Sequence, residues 1–599
     1  MMKGFLLKSF FLSLLIFIFL VVRKVYAADF ITDYQIIYDL TNFKNDLSAK
    51  VNLNIKITNL KSNFYIDKFT ISFSNNTNIE EIEVFDDGGV IQPEIHYLSE
   101  VKRVEMRFND PKVGKGIVNN LFLKFKQKNL FKINGNIWEV FLPVINNQEG
   151  NYKIKVILPQ DEDKKISIAK PKPTLISGKE IYWENPKTEV IYAVFGDYQT
   201  YKVDLIYNLK NPQIRPILTE ITFPPDTLYQ KVYLDLVTPL PLETYQDDDG
   251  NFLGKYFLNP KEEKKVIFKG YIQIFPQWRD EVKKVVKERI KNQKNYLLQT
   301  FDKNWQIKTL EKIKDLETIS DIYYYVVNNL KYNYQKINSS EKRLGAENTL
   351  LNPDNSVCID FTDLLIGIAR EKGITTREIQ GYGFSFDSKI QPLSLLRDIL
   401  HSWVEYYDEK NQIWVPVDPT WENTSKIDYF SSFDLNHITF VIHGKKSDYP
   451  VPAGMYKISD SKDISILSTS ENLIEKRNLK LTNVSIPKTI NANKKHQGKI
   501  IFTNQSNVYL YNQKIFLESD LRLSKNELTI LSLAPYEKIS FSFDLESTKT
   551  IEKKKATDLK VFLNNKEVLN YPIKITQFNF KFLLFLPIFF FLFLLIRKK

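Results

Sequence analysis

The chain has 599 residues, of which 43% are hydrophobic and 26% charged, and its 83 basic against 71 acidic residues give a formal net charge of +12. That excess favours contact with anionic envelope polymers or lipid head groups, but the lysines are spread rather than gathered in an aromatic-lined stripe, which argues against nucleic-acid binding. A single cysteine, Cys358, excludes an internal disulfide and makes a thiolate zinc site a poor reading, leaving catalysis or an idle core thiol.

At the amino terminus, Lys3 and Lys8 precede the apolar run Phe10 to Val22, and Val25-Tyr26-Ala27 offers small residues before Ala28. Residues 1–27 are therefore expected to be a signal peptide, with an uncleaved signal anchor as the alternative because Arg23 and Lys24 follow the apolar run. Either way the body lies outside the cytoplasm. Val51, Leu53, Ile55 and Ile57 alternate with Asn52, Asn54, Lys56 and Thr58, so residues 28–169 read as a β-sandwich-like domain. Lys170-Pro171-Lys172-Pro173 marks a boundary, after which residues 170–280 form a second β-rich region. Asp247-Asp248-Asp249-Gly250 lacks the closing glutamate of a calcium loop and reads as a hairpin turn.

Helical spacing starts at Val282, Val286 and Ile290, a linker over 281–304, and returns after the cap-like Thr318 with Ile319, Ile322, Tyr323, Val326 and Leu330. Residues 305–450 then carry the chemistry. Phe361, Leu364, Leu365, Ile368 and Ala369 follow Cys358 at helical spacing and end at Gly373, so the cysteine opens an amphipathic helix. Free amides and the positive dipole end favour thiolate there, with cap candidates in Asp354-Asn355-Ser356, whereas Asp360 and Asp363 oppose it. A histidine partner is needed. His401 to Tyr407 and Gln412 to Asp418 read as a β-hairpin around Asp408-Glu409-Lys410-Asn411. A symmetric loop centred between Glu409 and Lys410 sets His401 opposite Asp418, and Glu405 opposite Trp414, so a carboxylate could orient an imidazole toward the thiol. His437 and His443 flank one strand and read as surface or cleft-edge histidines rather than a metal pair.

Cys358-Ile359-Asp360-Phe361-Thr362-Asp363-Leu364, Arg370-Glu371-Lys372-Gly373-Ile374-Thr375-Thr376-Arg377 with Gly381-Tyr382, His401-Ser402-Trp403-Val404-Glu405 and Asp418-Pro419-Thr420-Trp421 resemble the transglutaminase-like domain of the papain-type cysteine-enzyme superfamily. The resemblance implies an α+β core with Cys358 as nucleophile, His401 as base and then acid, and Asp418 as orienter. The family's usual Gly-Ile-Pro is Gly-Ile-Thr here, at Gly373-Ile374-Thr375. The first oxyanion donor would be the Cys358 amide. The second stays open among Trp305, Asn333, Tyr334 and Asn348.

Beyond the core, Ile539, Phe541, Phe543 and Leu545 alternate with polar residues, and residues 475–575 resemble an immunoglobulin-like β-sandwich module. Phe582 to Ile596, followed by Arg597-Lys598-Lys599, is expected to be a transmembrane helix with its basic tail cytoplasmic. The expected fold class is thus multi-domain: a β-rich amino-terminal region, an α+β transglutaminase-like core, a carboxy-terminal β-sandwich and a terminal transmembrane helix. The expected function is extracytoplasmic acyl transfer on amide bonds of proteins or peptides through a thioester, without cofactor or metal, from a single-pass membrane protein. Hydrolysis is narrowly favoured over crosslinking. A non-catalytic surface or assembly scaffold is the alternative.

Overall fold

The computed structural model describes residues 29–576 apart from 76, 100, 146–149, 300–301, 337–342, 385–399, 458–461, 493 and 548–554. The expected signal peptide, 1–27, and the apolar segment 582–596 lie outside the described residues. One element of the expected fold class is corrected. No helix among the described residues is long and apolar enough to cross a membrane, so the expected terminal transmembrane helix is no part of the described fold, which is β-rich and multi-domain. The physical weakness was length: fifteen residues at 1.5 Å each reach about 22 Å of a roughly 30 Å hydrocarbon core. The long helix Asp280–Leu297 carries charge along its length and buries only a stripe including Val282, Val285, Val286 and Ile290.

The described residues divide into two compact units, those within 1–132, 140–163 and 171–192 in one, and those within 133–139, 164–170 and 193–599 in the other. In the first, Phe30–Asp39 pairs antiparallel with Ser48–Asn59 and parallel with Tyr152–Ile157 inside an eight-stranded sheet. Val51, Leu53, Ile55 and Ile57 all point into its core, as a period of two requires of a one-face-buried strand.

The second unit begins with a four-stranded sheet in which Gln199–Lys210 lies between Glu263–Ile274 and the distant strand Ile464–Thr469. Glu243–Gln246 and Phe252–Leu258 make a hairpin closed by the Asp247 loop, whose carboxylate accepts the Gly250 and Asn251 amides. Residues 479–576 form two sheets whose inner residues, among them Phe502, Phe541, Phe543, Leu517, Val561 and Ile573, share one core.

Between these lies the segment with the reactive residues. Thr318 caps the helix Ile319–Asn329 by accepting the Asp321 amide, while Asp321 accepts the Thr318 amide in return. The cysteine helix, Cys358–Glu371, is buried at every residue from Asp360 to Arg370, rather than showing one solvent face. Its apolar residues Phe361, Leu364, Leu365, Ile368 and Ala369 join Trp305, Tyr323, Val404 and Val417 in a single core. Gly373, at φ 76°, ends it in the left-handed conformation that suits glycine. The accompanying sheet has the order Ile413–Val417, His401–Asp408, Thr376–Gly383, His437–His443.

The hairpin forms with a different register. Asp408 pairs with Ile413, Tyr407 with Trp414, Glu405 with Pro416 and Val404 with Val417. The loop is Glu409 to Gln412, because the Asp408 carboxylate accepts the Lys410 and Asn411 amides and Gln412, at φ 57°, returns its amide to the Asp408 carbonyl at 2.7 Å. The turn therefore centres one residue later than expected, sliding the partner strand by two positions. A slip of two keeps every side chain on its face, so His401 and Asp418 remain on one side as diagonal rather than directly opposed neighbours.

Candidate active site

Cys358 opens its helix after Val357, whose backbone is extended at φ −119° and ψ 175°. The expected caps work elsewhere: Asp354 pairs with Lys331 at 2.8 Å, Asn355 accepts the Asn333 amide group at 2.7 Å and the Ser356 hydroxyl donates to the Pro353 carbonyl. Asp360 caps instead, its Oδ2 accepting the Val357 amide at 2.9 Å. The thiol is half-buried. The opposition expected from the two aspartates is offset, since Lys336 bonds Asp360 at 2.7 Å and Arg343 forks onto Asp363, with 2.8 Å from Nε to Oδ2. Arg343 also reaches Glu378 at 2.9 Å, and Glu378 meets His443 Nδ1 at 3.3 Å. Burial works against a charged Glu378, but Arg343 and His443 hold its carboxyl down to about 2.

His401 starts its strand and turns Nε2 to Asp418 Oδ2 at 2.7 Å. Cys358 lies in electrostatic reach of its side chain, and with Nε2 on Asp418, Nδ1 is the nitrogen left for sulfur. Burial lowers the His401 pKa, but the Asp418 charge, the bond to Asp418 and the nearby Cys358 sulfur outweigh it and raise the imidazole to about 9. Asp418 is fully buried and N-caps the helix Pro419–Ser425, its Oδ1 accepting the Thr420 and Trp421 amides at 2.9 and 3.0 Å. Desolvation resists its ionisation, yet His401 and His437 hold its carboxyl well below the usual range. The Trp421 ring stacks on His401 at 5.2 Å and 26°, screening the His401–Asp418 bond.

The structure thus brings Cys358, His401 and Asp418 together. It also adds His437, which is buried and not the surface histidine expected from its strand. His437 Nε2 lies 3.1 Å from the same Asp418 oxygen, and its Nδ1 is 2.7 Å from Asp434 Oδ1. Donor atoms of His401, Asp418 and His437 are within 4.8 Å of one another, close enough to gather around a cation. Here the convergence is that of two imidazole N–H groups on one carboxylate oxygen, and we read it as hydrogen bonding. His443 is likewise buried, its Nε2 donating to the Pro450 carbonyl at 2.7 Å.

Two of the residues considered for a second oxyanion donor are engaged elsewhere, Asn348 with the Leu344 carbonyl and Asn333 with Asn355, and a third, Trp305, is wholly buried under the Arg370 guanidinium. Tyr334 sets its ring edge against Tyr332, centroids 4.8 Å apart. Tyr332, which the sequence did not single out, lies in electrostatic reach of Cys358; burial first, and then the sulfur, push its phenol pKa well up. Its only sequence signal was its place just beyond the Ile319–Asn329 helix. His437 was marked only by its place flanking a strand with His443, and Asp434 had no signal beyond its residue type.

Residues 306–419 match the family model of the transglutaminase-like superfamily. Among solved structures, the "putative cysteine protease" of Cytophaga hutchinsonii aligns at 14% identity and a TM-score of 0.27, covering 46% of this chain and 89% of that one. The periplasmic domain of TgpA from Pseudomonas aeruginosa, bound to ethylmercury, aligns at 13% identity and a TM-score of 0.20, covering 39% and 92%. Native leukotriene A4 hydrolase of Saccharomyces cerevisiae aligns at 12% identity and a TM-score of 0.21, covering 29% and 30%. No curated protein matches the chain.

Proposed function

From a chain whose residues 306–419 are a transglutaminase-like domain, we propose a cysteine enzyme that transfers acyl groups from amide bonds of proteins or peptides, with Cys358 as nucleophile. The observation that carries this reading is the single line of contacts from the helix-opening thiol through His401 to Asp418 at 2.7 Å. Cys358 sulfur, as thiolate, adds to the amide carbon; the Cys358 amide, in the first helical turn where no intrahelical acceptor exists, faces the developing oxyanion. His401 gives its Nδ1 proton to the departing amine as the C–N bond breaks, leaving a thioester. Water, deprotonated by His401, then adds to the thioester carbon, and the C–S bond breaks to return the thiolate and a carboxylic acid. An amine in place of water gives a new amide. We favour water, because hydrolysis needs no second organised substrate site. The apolar run Phe10 to Val22 and the small residues before Ala28 support export of the body from the cytoplasm.

The test is labelling of Cys358 with a thiol-alkylating probe, together with turnover of unfolded protein and peptide substrates. Rapid alkylation at neutral pH, lost in Cys358→Ala and slowed in His401→Ala, is the expected result. Asp418→Asn should keep the fold and lose about 10⁴-fold in rate, the effect of disorienting the base in comparable triads. A folded Cys358→Ala protein with full acyl-transfer activity would end this reading.

A further inference from the structure

Both ring nitrogens of His437 face carboxylate oxygens, Nδ1 at 2.7 Å from Asp434 and Nε2 at 3.1 Å from Asp418. An ionised carboxylate only accepts, so each contact requires an N–H, and a ring with two N–H groups is an imidazolium. Its surroundings suit a cation. Ring centres of Trp421, Phe433 and Trp403 stand 4.2, 4.4 and 4.9 Å from that of His437, an aromatic cage of the kind that attracts positive charge. The same Asp418 oxygen binds His401 at 2.7 Å on its other side.

We propose that His437, held as a fixed cation by Asp434, is a positioning residue for Asp418 and His401: it shares the Asp418 charge and so keeps the His401 proton transferable. The inference deepens the proposed Cys358 chemistry and rests on it. A buried carboxylate with only one imidazole to satisfy would concentrate its attraction there, making His401 a weak acid toward a leaving amine and a base that is seldom free. A second cation on the same oxygen divides that attraction. It also fixes the carboxylate, whose other oxygen is already spent on the Thr420 and Trp421 amides.

The other charged and titratable groups around His437 come from several elements, and one of them, Lys170, is pushed down to about 8 by burial, so its charge also changes within the range followed below. Tyr429 lies on one side, ring centres 6.1 Å apart, with Lys170 Nζ 3.5 Å from the centre of the Tyr429 ring. Glu139 accepts the side-chain amide of Asn436 at 2.8 Å, next to His437 in the chain. Glu422 and Asp428 act on Lys170 from the Pro419–Ser425 helix and the turn after it. Asp434 is the group that ties up Nδ1. Burial resists its ionisation, and His437 and Lys170 overcome that and hold the carboxyl down.

The chain has five histidines, so ¹⁵N-histidine labelling of the full chain can follow His401 and His437 from pH 5 to 10, beside the pH profile of Cys358 alkylation by iodoacetamide. His437 is expected to be doubly protonated at pH 7. In His437→Gln, which keeps an N–H donor without the charge, the His401 midpoint should rise by about one unit or more, since a unit charge with ring centres 5.4 Å apart has been removed. The alkaline limb of the alkylation profile should move with it. Asp434→Asn preserves shape and should give a His437 that loses its proton near neutrality and the same upward movement of His401, so the inference can be decided even if His437→Gln fails to fold. A purely architectural His437 would lower the melting temperature without moving His401. A neutral His437 at pH 7 in the unmodified chain, or an unmoved His401 in the folded variants with Cys358 still reactive, would overturn the inference alone. An unreactive Cys358 in the unmodified chain would overturn the catalytic reading and this inference with it.

Discussion

Gly383 has almost no room for a side chain. A Cβ there would come within 2.7 Å of the Trp421 ring and 3.4 Å of His401 Cδ2, so the glycine is what lets the indole lie flat on the imidazole. Gly383→Ala is expected to leave the fold measurable by circular dichroism but to tilt Trp421 away from His401 and cut acyl-transfer turnover by up to about 100-fold, the effect of misplacing a reacting group by an ångström. Unchanged turnover would mean that the stacking does not hold the base. Glu405 makes the contrasting case. It shares the face of His401 but is buried against Arg377, 2.7 Å from Nε, and stands opposite Pro416. Glu405→Gln should lower stability by about 1.5 to 3 kcal/mol, the usual worth of a hydrogen bond to a charged group, while leaving the pH profile of Cys358 alkylation in place; a displaced profile with an unaltered melting temperature would contradict this. At this scale the sequence exposed what is rare or regularly spaced. Cys358 is the only thiol, and His401 and Asp418 bracket two aromatic runs. Asp434, His437 and Tyr332 are unremarkable as letters, because what distinguishes them is the partner each meets after folding.

The strand His437–His443 lies at the edge of its sheet, and an edge leaves backbone donors and acceptors unpaired. Two side-chain amides close it. Gln230 donates to the Thr439 carbonyl at 2.9 Å and accepts its amide at 2.8 Å, and Asn251 does the same for Ile442 at 2.8 and 2.7 Å. Each amide thus imitates one residue of a neighbouring strand. Asn251→Leu should destabilise by about 2 to 4 kcal/mol, because a buried N–H and C=O lose their partners together, read as a lower midpoint in urea; a loss under about 0.5 kcal/mol would show that water replaces the amide. Among elements, alternation at Val51 to Ile57 and the spacing from Phe361 to Ala369 were readable, since burial of one face is written in residue order. The partners were not. Strand Ile464–Thr469 pairs with Gln199–Lys210 across more than two hundred residues of chain, and no local pattern encodes such a meeting. The hairpin register slipped for a smaller reason, the Asp408 side chain capturing two amides and moving the turn centre by one residue. The all-round burial of the cysteine helix was hidden too, because Lys336 and Arg343, which satisfy its polar residues, come from a preceding segment.

Across the whole chain, the net charge of +12 says less about stability than the few ionisable groups folding buries. His401 and His437 have folded pKa values near 9 against 6.5 for an ordinary histidine: burial opposes the charge in both, and Asp418 and Asp434 outweigh it. A group whose pKa folding raises contributes stability that is full below its unfolded pKa and lost as pH climbs through the folded one. Each imidazole therefore contributes roughly 3 kcal/mol below about pH 6.5, withdrawn by about pH 9. Asp418, Asp434 and Glu378 are depressed, so what they contribute is present above their ordinary values near 4 and lost in acid. Asp247, pushed up to about 6 by burial, works in the opposite sense between pH 4 and 6. The melting temperature should accordingly be highest between about pH 5 and 6.5 and fall steadily toward pH 9. His437→Gln should start lower and decline less over the same alkaline range, having one such proton fewer to lose. Thermal unfolding followed at half-unit pH steps in both proteins decides the matter, and a flat or rising melting temperature between pH 6.5 and 9 in the unmodified chain would show that neither imidazole is held as a cation in the folded state.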